Sequence, residues 1–196
     1  MFPLSHLPIR LGRSFTRRLL WLESDYASAP EKLAELLAQL GYPKEQSALL
    51  SNRELAGLAP IGRGEFVRYL GSSFSCIIID AFAGLNPSAV AQAAGTVIGG
   101  GVLILLTPTK ENWLGFNDPE YSHIGADAEP QGLFLRWLVN HLEEDSAVIR
   151  VQYPRYLATP GSNINRLSWA FTLGMSSVTW CNSCSCGGAA PLAVYR

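Results

Sequence analysis

The segment from Phe74 to Pro108 decides the fold and reads FSCIIIDAFAGLNPSAVAQAAGTVIGGGVLILLTP. It contains two runs, residues 74–79 and 102–106, that are apolar at almost every position. Uninterrupted apolar runs of this length are typical of strands that lie in a parallel sheet with both faces covered. The two runs therefore predict two neighbouring buried strands.

A helix is predicted between these two strands. Asn86 is a favoured N-cap residue and Pro87 fits the first helical position, so the helix is expected over residues 88–94. Gly99–Gly101 predict a turn that leads into the second strand. The segment therefore predicts a strand, a helix and a second strand in succession.

The same alternation extends to both sides of this unit. Shorter apolar runs predict three more strands, at residues 18–22, 46–50 and 147–152. Further helices are predicted from apolar residues at helical spacing and from start and stop signals, at residues 28–40, 65–70 and 133–142. A polar loop is expected from Lys110 to about Pro130.

Strands that alternate with helices predict an α/β fold. With right-handed crossovers, the expected architecture is a Rossmann-like, doubly wound, mostly parallel sheet of five strands. Composition divides the chain into a basic start at 1–16, this domain at 17–156 and an irregular tail at 157–196.

Charge is distributed unevenly along the 196 residues. The formal net charge is −1, but all 16 acidic residues lie between positions 19 and 153, and both ends of the chain are basic. A near-neutral chain is not expected to bind DNA through a broad basic surface. No segment reads as a membrane span, because the longest apolar stretch is interrupted by glycine and proline.

Ligands of doubly wound sheets bind where the strands end at their carboxyl edge. Residues predicted at or near this edge, as candidates for ligand binding or an interface, are Asp80, Phe82, Asn86, Thr107 and Trp113. Asp80 has two readings, since a carboxylate after a buried strand can bind Mg²⁺ or cap the following turn. Both readings stay open at this point.

Three of the four cysteines form a C-x2-C-x-C cluster, Cys181, Cys184 and Cys186. Thiolates at such spacing can hold zinc, but a fourth ligand is needed and His141 is the nearest candidate. The cluster is therefore a weak metal candidate. Cys76 lies inside a predicted strand and is expected to be a core residue.

Several well-known catalytic patterns are missing from the sequence. None of its three lysines follows a glycine, which excludes a P-loop in this chain. The dinucleotide pattern G-x-G-x-x-G is also absent after the first predicted strand. Its three histidines suggest surface or packing roles, so no Ser/His/Asp arrangement and no catalytic residue is predicted.

Residues 69–108, together with Glu111-Asn112-Trp113, resemble the N-terminal domain of the tRNA(Met) cytidine acetyltransferases. The shared features are a strand ending in aspartate, a Gly-Leu-Asn-Pro step, an alanine-rich helix, Gly-Thr, Gly-Gly and an apolar strand ending in proline. The resemblance extends more loosely over residues 15–158.

This resemblance implies a role in acetylating N4 of the wobble cytidine of elongator methionine tRNA in the cytoplasm. Acetyl-CoA and ATP serve the full-length family, and a helicase module and an acetyltransferase module follow this domain there. None of the motifs of those modules is present here, so no cofactor is expected in this chain. Its own expected role is structural, or binding of tRNA or of partner modules, with Arg13, Arg17 and Arg18 as candidate RNA contacts. A solvated edge is the alternative reading of these arginines.

The tail departs from the family pattern. Residues 161–196 contain no Asp, Glu or Lys, which suggests a segment read out of frame or a truncated gene. Two alternatives remain: a stand-alone small-molecule transferase, such as a methyltransferase, and a stand-alone binding module whose tail folds around zinc. Trp113 and Phe116 are expected to be exposed and to lower solubility.

Overall fold

The computed structural model describes residues 15–62, 64–115, 132–152 and 155–158. All of them belong to one compact unit, residues 1–165, while a second unit, residues 166–196, lies outside the described residues. Predictions that concern Arg13, Phe116 and the cysteine cluster of the tail also fall outside them.

One sheet organises the described residues. Its strands are β1 (Arg18–Glu23), β2 (Ser47–Leu50), β3 (Pro60–Ile61), β4 (Phe74–Asp80), β5 (Val97–Thr107), β6 (Val148–Gln152) and β7 (Arg155–Ala158). Their spatial order is β3-β2-β4-β5-β1-β6-β7. The first six strands run parallel, and β7 pairs antiparallel with β6.

The predicted fold class is confirmed, and the five predicted strands are all present. The count of five is wrong, because the parallel part of the sheet has six strands and an antiparallel strand extends it. The missed parallel strand, β3, has only two residues and begins with Pro60, so it shows no period-two pattern. β7 lies at an edge, where four residues are too few to stand out from the tail.

Helices cover both faces of the sheet. They are α1 (Ala29–Leu40), α2 (Pro87–Thr96), α3 (Lys110–Leu114) and α4 (Gly132–Glu144). On one face, leucines of α1 pack with Leu20 and Leu22 of β1. On the other face, alanines of α2 and leucines of α4 pack with Leu19 and Trp21. Alternate residues of β1 thus enter two separate cores, as a strand between two layers requires.

The capping residues read from the sequence predict most of the helix ends correctly. The Asn86 side chain accepts hydrogen bonds from the backbone nitrogens of Ser88 (2.9 Å) and Ala89 (3.2 Å), which confirms it as the N-cap of α2. Gly41 ends α1 with a positive φ of 68°, as the stop signal predicts. Ser28 precedes α1 but makes no side-chain capping bond to it.

The predicted turn at Gly99–Gly101 is wrong, because β5 begins at Val97 and includes these glycines. Pairing with β4 continues past them through a register shift between Phe74 and Cys76. Gly100 adopts a φ of 94°, and a Cβ on Gly101 would lie 2.7 Å from the carbonyl oxygen of Ser75. The glycines therefore serve an irregular, close approach of two strands rather than a turn.

Two other element predictions need correction. The helix predicted at 65–70 is a single 3-10 turn at Phe66–Tyr69. The polar loop predicted from Lys110 begins instead with the short helix α3. None of the helices within the described ranges combines the length and apolarity that crossing a membrane would need.

Candidate functional site at the carboxyl edge of the sheet

Polar side chains meet where the parallel strands end. Glu23 ends β1, Ser51 directly follows β2 and Asp80 ends β4. Parallel strands bring their carboxyl ends to one edge, which is where ligands of such sheets bind. In this protein the edge carries two groups of interacting charges.

The first group is centred on Asp80, whose side chain is only 1% exposed. Its Oδ2 accepts hydrogen bonds from Ser51 Oγ at 2.8 Å and from Arg53 Nε at 3.1 Å. Its Oδ1 accepts from the backbone nitrogen of Phe82 at 3.1 Å and so caps the turn that follows β4. The carboxylate thus caps the turn, as one of the two interpretations predicts, and it also has an ion-pair partner in Arg53.

Arg53 also contacts two aromatic rings. Its guanidinium lies 3.9 Å from the ring centre of Tyr26 and 5.6 Å from that of Phe82. The two rings meet edge to face, with centres 5.5 Å apart. Arg53 Nη2 is buried and has no hydrogen-bond partner within the described part of the chain. We refer to Tyr26, Arg53 and Phe82 together as the Tyr26–Arg53 platform.

The second group is a ring of four charged residues, Glu23, Arg150, Glu143 and Lys110. Arg150 Nε pairs with Glu23 Oε1, and Arg150 Nη1 lies 3.4 Å from Glu143 Oε1. Lys110 Nζ contacts both oxygens of Glu143 at 2.7 and 2.8 Å, and its backbone nitrogen donates to Glu23 Oε2 at 2.9 Å. The hydrogen bond to Glu23 is the main reason why the pKa of Arg150 is raised.

We refer to these four residues as the ion ring. The ion ring joins four elements. Glu23 ends β1, Lys110 begins α3, Glu143 lies in α4 and Arg150 lies in β6. With two acids and two bases, the formal charges of its members cancel. The ring therefore links the four elements through ion pairs and presents no excess charge to an ionic ligand.

Thr107 and Trp113, both predicted at this edge, are core residues. The Thr107 hydroxyl accepts from Trp21 Nε1 at 2.9 Å and donates to the carbonyl of Pro108 at 2.8 Å. Trp113 is fully buried, with its ring centre 6.4 Å from that of Trp21. The prediction that Trp113 is exposed is wrong, because the short helix α3 turns its side chain into the core formed by α4 and the sheet.

Two of the predicted RNA-contacting arginines, Arg17 and Arg18, lie at the other end of β1. Arg17 is exposed and directly precedes this strand. Arg18 is only 6% exposed, so an RNA contact would require its side chain to leave the protein interior. Of the two arginines within the described residues, Arg17 is thus the one that RNA can reach directly.

The described residues offer no ready metal centre. Within them, no group of three or more His, Cys, Asp or Glu side chains is arranged to hold a metal ion. Sequence reasoning placed Asp80, Phe82 and Asn86 correctly at the end of β4 and the start of α2. It missed Tyr26, Arg53 and Arg150, because none of them belongs to a local motif that signals its distant partner.

These features define a doubly wound α/β domain whose carboxyl edge is occupied largely by charges that satisfy one another. The chain matches the family described as "tRNA(Met) cytidine acetyltransferase TmcA, N-terminal" over residues 4–153. The match covers most of the chain, and the protein belongs to this family. The resemblance found in residues 69–113 is thereby confirmed.

Individual relatives agree with this membership. A tRNA(Met) cytidine acetyltransferase TmcA of Nitrosococcus halophilus is 37% identical over 94 residues, which are 46% of this chain. Proteins of the same name from Haloarcula marismortui and Haloferax volcanii are 29% and 27% identical over 101 and 97 residues, about half of this chain. The matched stretch accounts for 13% of the length of each of the three relatives.

Proposed function

We propose that this chain acts as the N-terminal domain of a tRNA(Met) cytidine acetyltransferase. The proposed enzyme forms N4-acetylcytidine at the wobble position of elongator methionine tRNA in the cytoplasm, with acetyl-CoA and ATP bound by other modules. The observation that carries this proposal is the family match over residues 4–153.

Within that enzyme, the proposed role of the domain is binding and support rather than acetyl transfer. The charged side chains of the carboxyl edge support this role, because Asp80 is engaged by Arg53 and Ser51, and Glu23 by Arg150. A general acid or base needs access to the substrate proton that it transfers. The proposed partners of the domain are tRNA and the helicase and acetyltransferase modules of the same enzyme.

The proposed RNA contact involves the basic start of the chain. Arg17 is exposed, and Arg13 belongs to the same segment, in which positions 1–20 contain four arginines and no acidic residue. Arginines of this kind bind phosphates of the RNA backbone without reading sequence. Binding through them should weaken as the salt concentration rises, because it releases counterions from the RNA.

Titration of the full chain with labelled elongator methionine tRNA tests this proposal. Measured by fluorescence anisotropy at several salt concentrations, the affinity should fall with salt. Arg17→Ala should weaken binding and reduce the slope of log K against log salt by roughly 0.7–0.9, the value for one phosphate contact. Arg136→Ala removes the same charge from an exposed position on α4 and should leave the slope unchanged. Absence of tRNA binding at low salt would contradict the proposal.

A further inference from the structure

We propose that the Tyr26–Arg53 platform stacks one unpaired nucleobase of RNA. This inference rests on the proposed RNA-binding function and adds a second contact to it. Arg17 precedes β1, whereas Tyr26 follows the end of that strand, so the two contacts lie at opposite edges of the sheet. A strand of six residues separates these edges by about 20 Å.

Tyr26 differs in position from the other exposed large hydrophobic side chains that the structure describes. Its side chain is 60% exposed, and it follows the carboxyl end of a strand. The others precede a strand or lie near its start, and they are Phe15, Val67, Leu70 and Ile98. A large exposed aromatic ring at the edge where doubly wound domains bind ligands is a candidate binding group.

The ring of Tyr26 is held in place from below and from the side. The Arg53 guanidinium lies 3.9 Å from the ring centre, and Arg53 is itself fixed by its ion pair with the buried Asp80. Phe82 meets the ring of Tyr26 edge to face. Two neighbouring groups, one of them fixed by Asp80, thus order an exposed side chain before any ligand arrives, which lowers the entropic cost of binding.

The charge beneath the ring favours a nucleobase over a basic side chain of a protein partner. Arg53 already occupies the cation position at the π system of Tyr26, so a second cation at this ring would be repelled by the first. A neutral aromatic ring is free of this repulsion and gains from stacking, and each base of a nucleic acid offers such a face.

The exposed charges beside the platform do not favour a run of phosphates at this place. Asp25 and Glu54, the exposed sequence neighbours of Tyr26 and Arg53, oppose the approach of phosphates. Single-stranded RNA is commonly recognised through such splayed bases stacked on aromatic side chains.

The test uses the full chain and a short, fluorescein-labelled single-stranded RNA of mixed sequence. Tyr26→Leu should weaken binding by at least about fivefold, because stacking on an aromatic side chain is worth roughly 1–3 kcal/mol per base. Tyr26→Trp should retain binding. Leu70→Ala, which changes another exposed apolar side chain, should have no effect.

A second RNA, equal in length and charge but with abasic positions, isolates the stacking contribution. It should bind the unmodified chain more weakly, and Tyr26→Leu should cause no further loss with it. The salt slope should be the same for Tyr26→Leu and the unmodified chain, whereas Arg17→Ala should reduce it.

The outcomes separate this inference from the proposed function. The platform is not a base-stacking site if Arg17→Ala weakens binding and either of two results is found. One is that Tyr26→Leu binds the RNA as tightly as the unmodified chain does; the other is that the abasic RNA binds as tightly as the RNA with all its bases. The proposed function would then stand, and the platform would be left to a protein partner. If the unmodified chain binds neither RNA nor tRNA, both proposals are overturned.

Discussion

At the scale of single residues, Asp80 joins two kinds of interaction that stabilise the carboxyl edge. One carboxylate oxygen caps the turn after β4, and the other receives Ser51 and Arg53. A buried carboxylate is tolerated only where its hydrogen-bonding capacity is used in this way. The same side chain also fixes the arginine on which Tyr26 rests.

Asp80→Ala should therefore lower the free energy of unfolding by about 2–4 kcal/mol, because it leaves Arg53 without its buried partner and removes a turn cap. Urea denaturation of the full chain measures this loss. Asp25→Ala removes an exposed carboxylate nearby and should change stability by less than about 0.5 kcal/mol. Equal stabilities for the two variants would show that the Asp80 interactions contribute nothing.

Residues with local partners are the ones that could be predicted from the sequence. Asn86 caps a helix through nitrogens two and three positions ahead, and Asp80 caps through a nitrogen two positions ahead. Arg53 is 27 positions from Asp80, and Arg150 is 127 positions from Glu23. Such pairs depend on the strand order, which no local pattern contains.

Cys76 is predicted to be a core residue from the apolar run of sequence around it alone. It lies in β4, is fully buried and is confirmed as a core residue. Burial raises the pKa of its thiol to about 12, so the reactive thiolate is scarce at neutral pH. The apolar run around Cys76 is sufficient to predict the burial of its side chain, because a strand covered on both faces leaves no side chain exposed.

At the scale of elements, the irregular pairing of β4 and β5 is the least predictable part of the fold. Three successive glycines predict a turn, since glycine most often marks turns. In the structure they belong to β5, and Gly101 lies where a side chain would collide with the backbone of β4. Sequence alone does not distinguish a turn glycine from one required by a close approach of strands.

Two glycine substitutions should consequently have opposite effects. Gly101→Ala should destabilise the protein by about 1–3 kcal/mol, because its Cβ would lie 2.7 Å from the Ser75 carbonyl oxygen and 2.8 Å from Val97 Cγ1. Gly95→Ala, in α2, meets no atom within 4 Å and should stabilise the helix by up to about 1 kcal/mol. Thermal unfolding of both variants checks the pair, and a stabilising Gly101→Ala would contradict the close packing of β4 and β5.

At the scale of the whole molecule, the domain presents two chemically different edges. The carboxyl edge carries the neutral ion ring and the Tyr26–Arg53 platform, whereas Arg17 lies at the amino edge beside a basic segment of sequence. The fold class could be predicted because alternating strands and helices have few stable arrangements. Strand order and the division of charge between the edges could not, because they arise from contacts distant in sequence.

The family match leads to a direct test of whether this chain serves as the N-terminal domain of a tRNA(Met) cytidine acetyltransferase. Residues 4–153 would replace the corresponding segment of the Nitrosococcus halophilus relative, and N4-acetylcytidine in elongator methionine tRNA would be measured by mass spectrometry of nucleosides. The relative without this segment is the control. We predict that the chimera restores acetylation above this control. A chimera that is folded, yet leaves the wobble cytidine unmodified, would contradict this role of the chain.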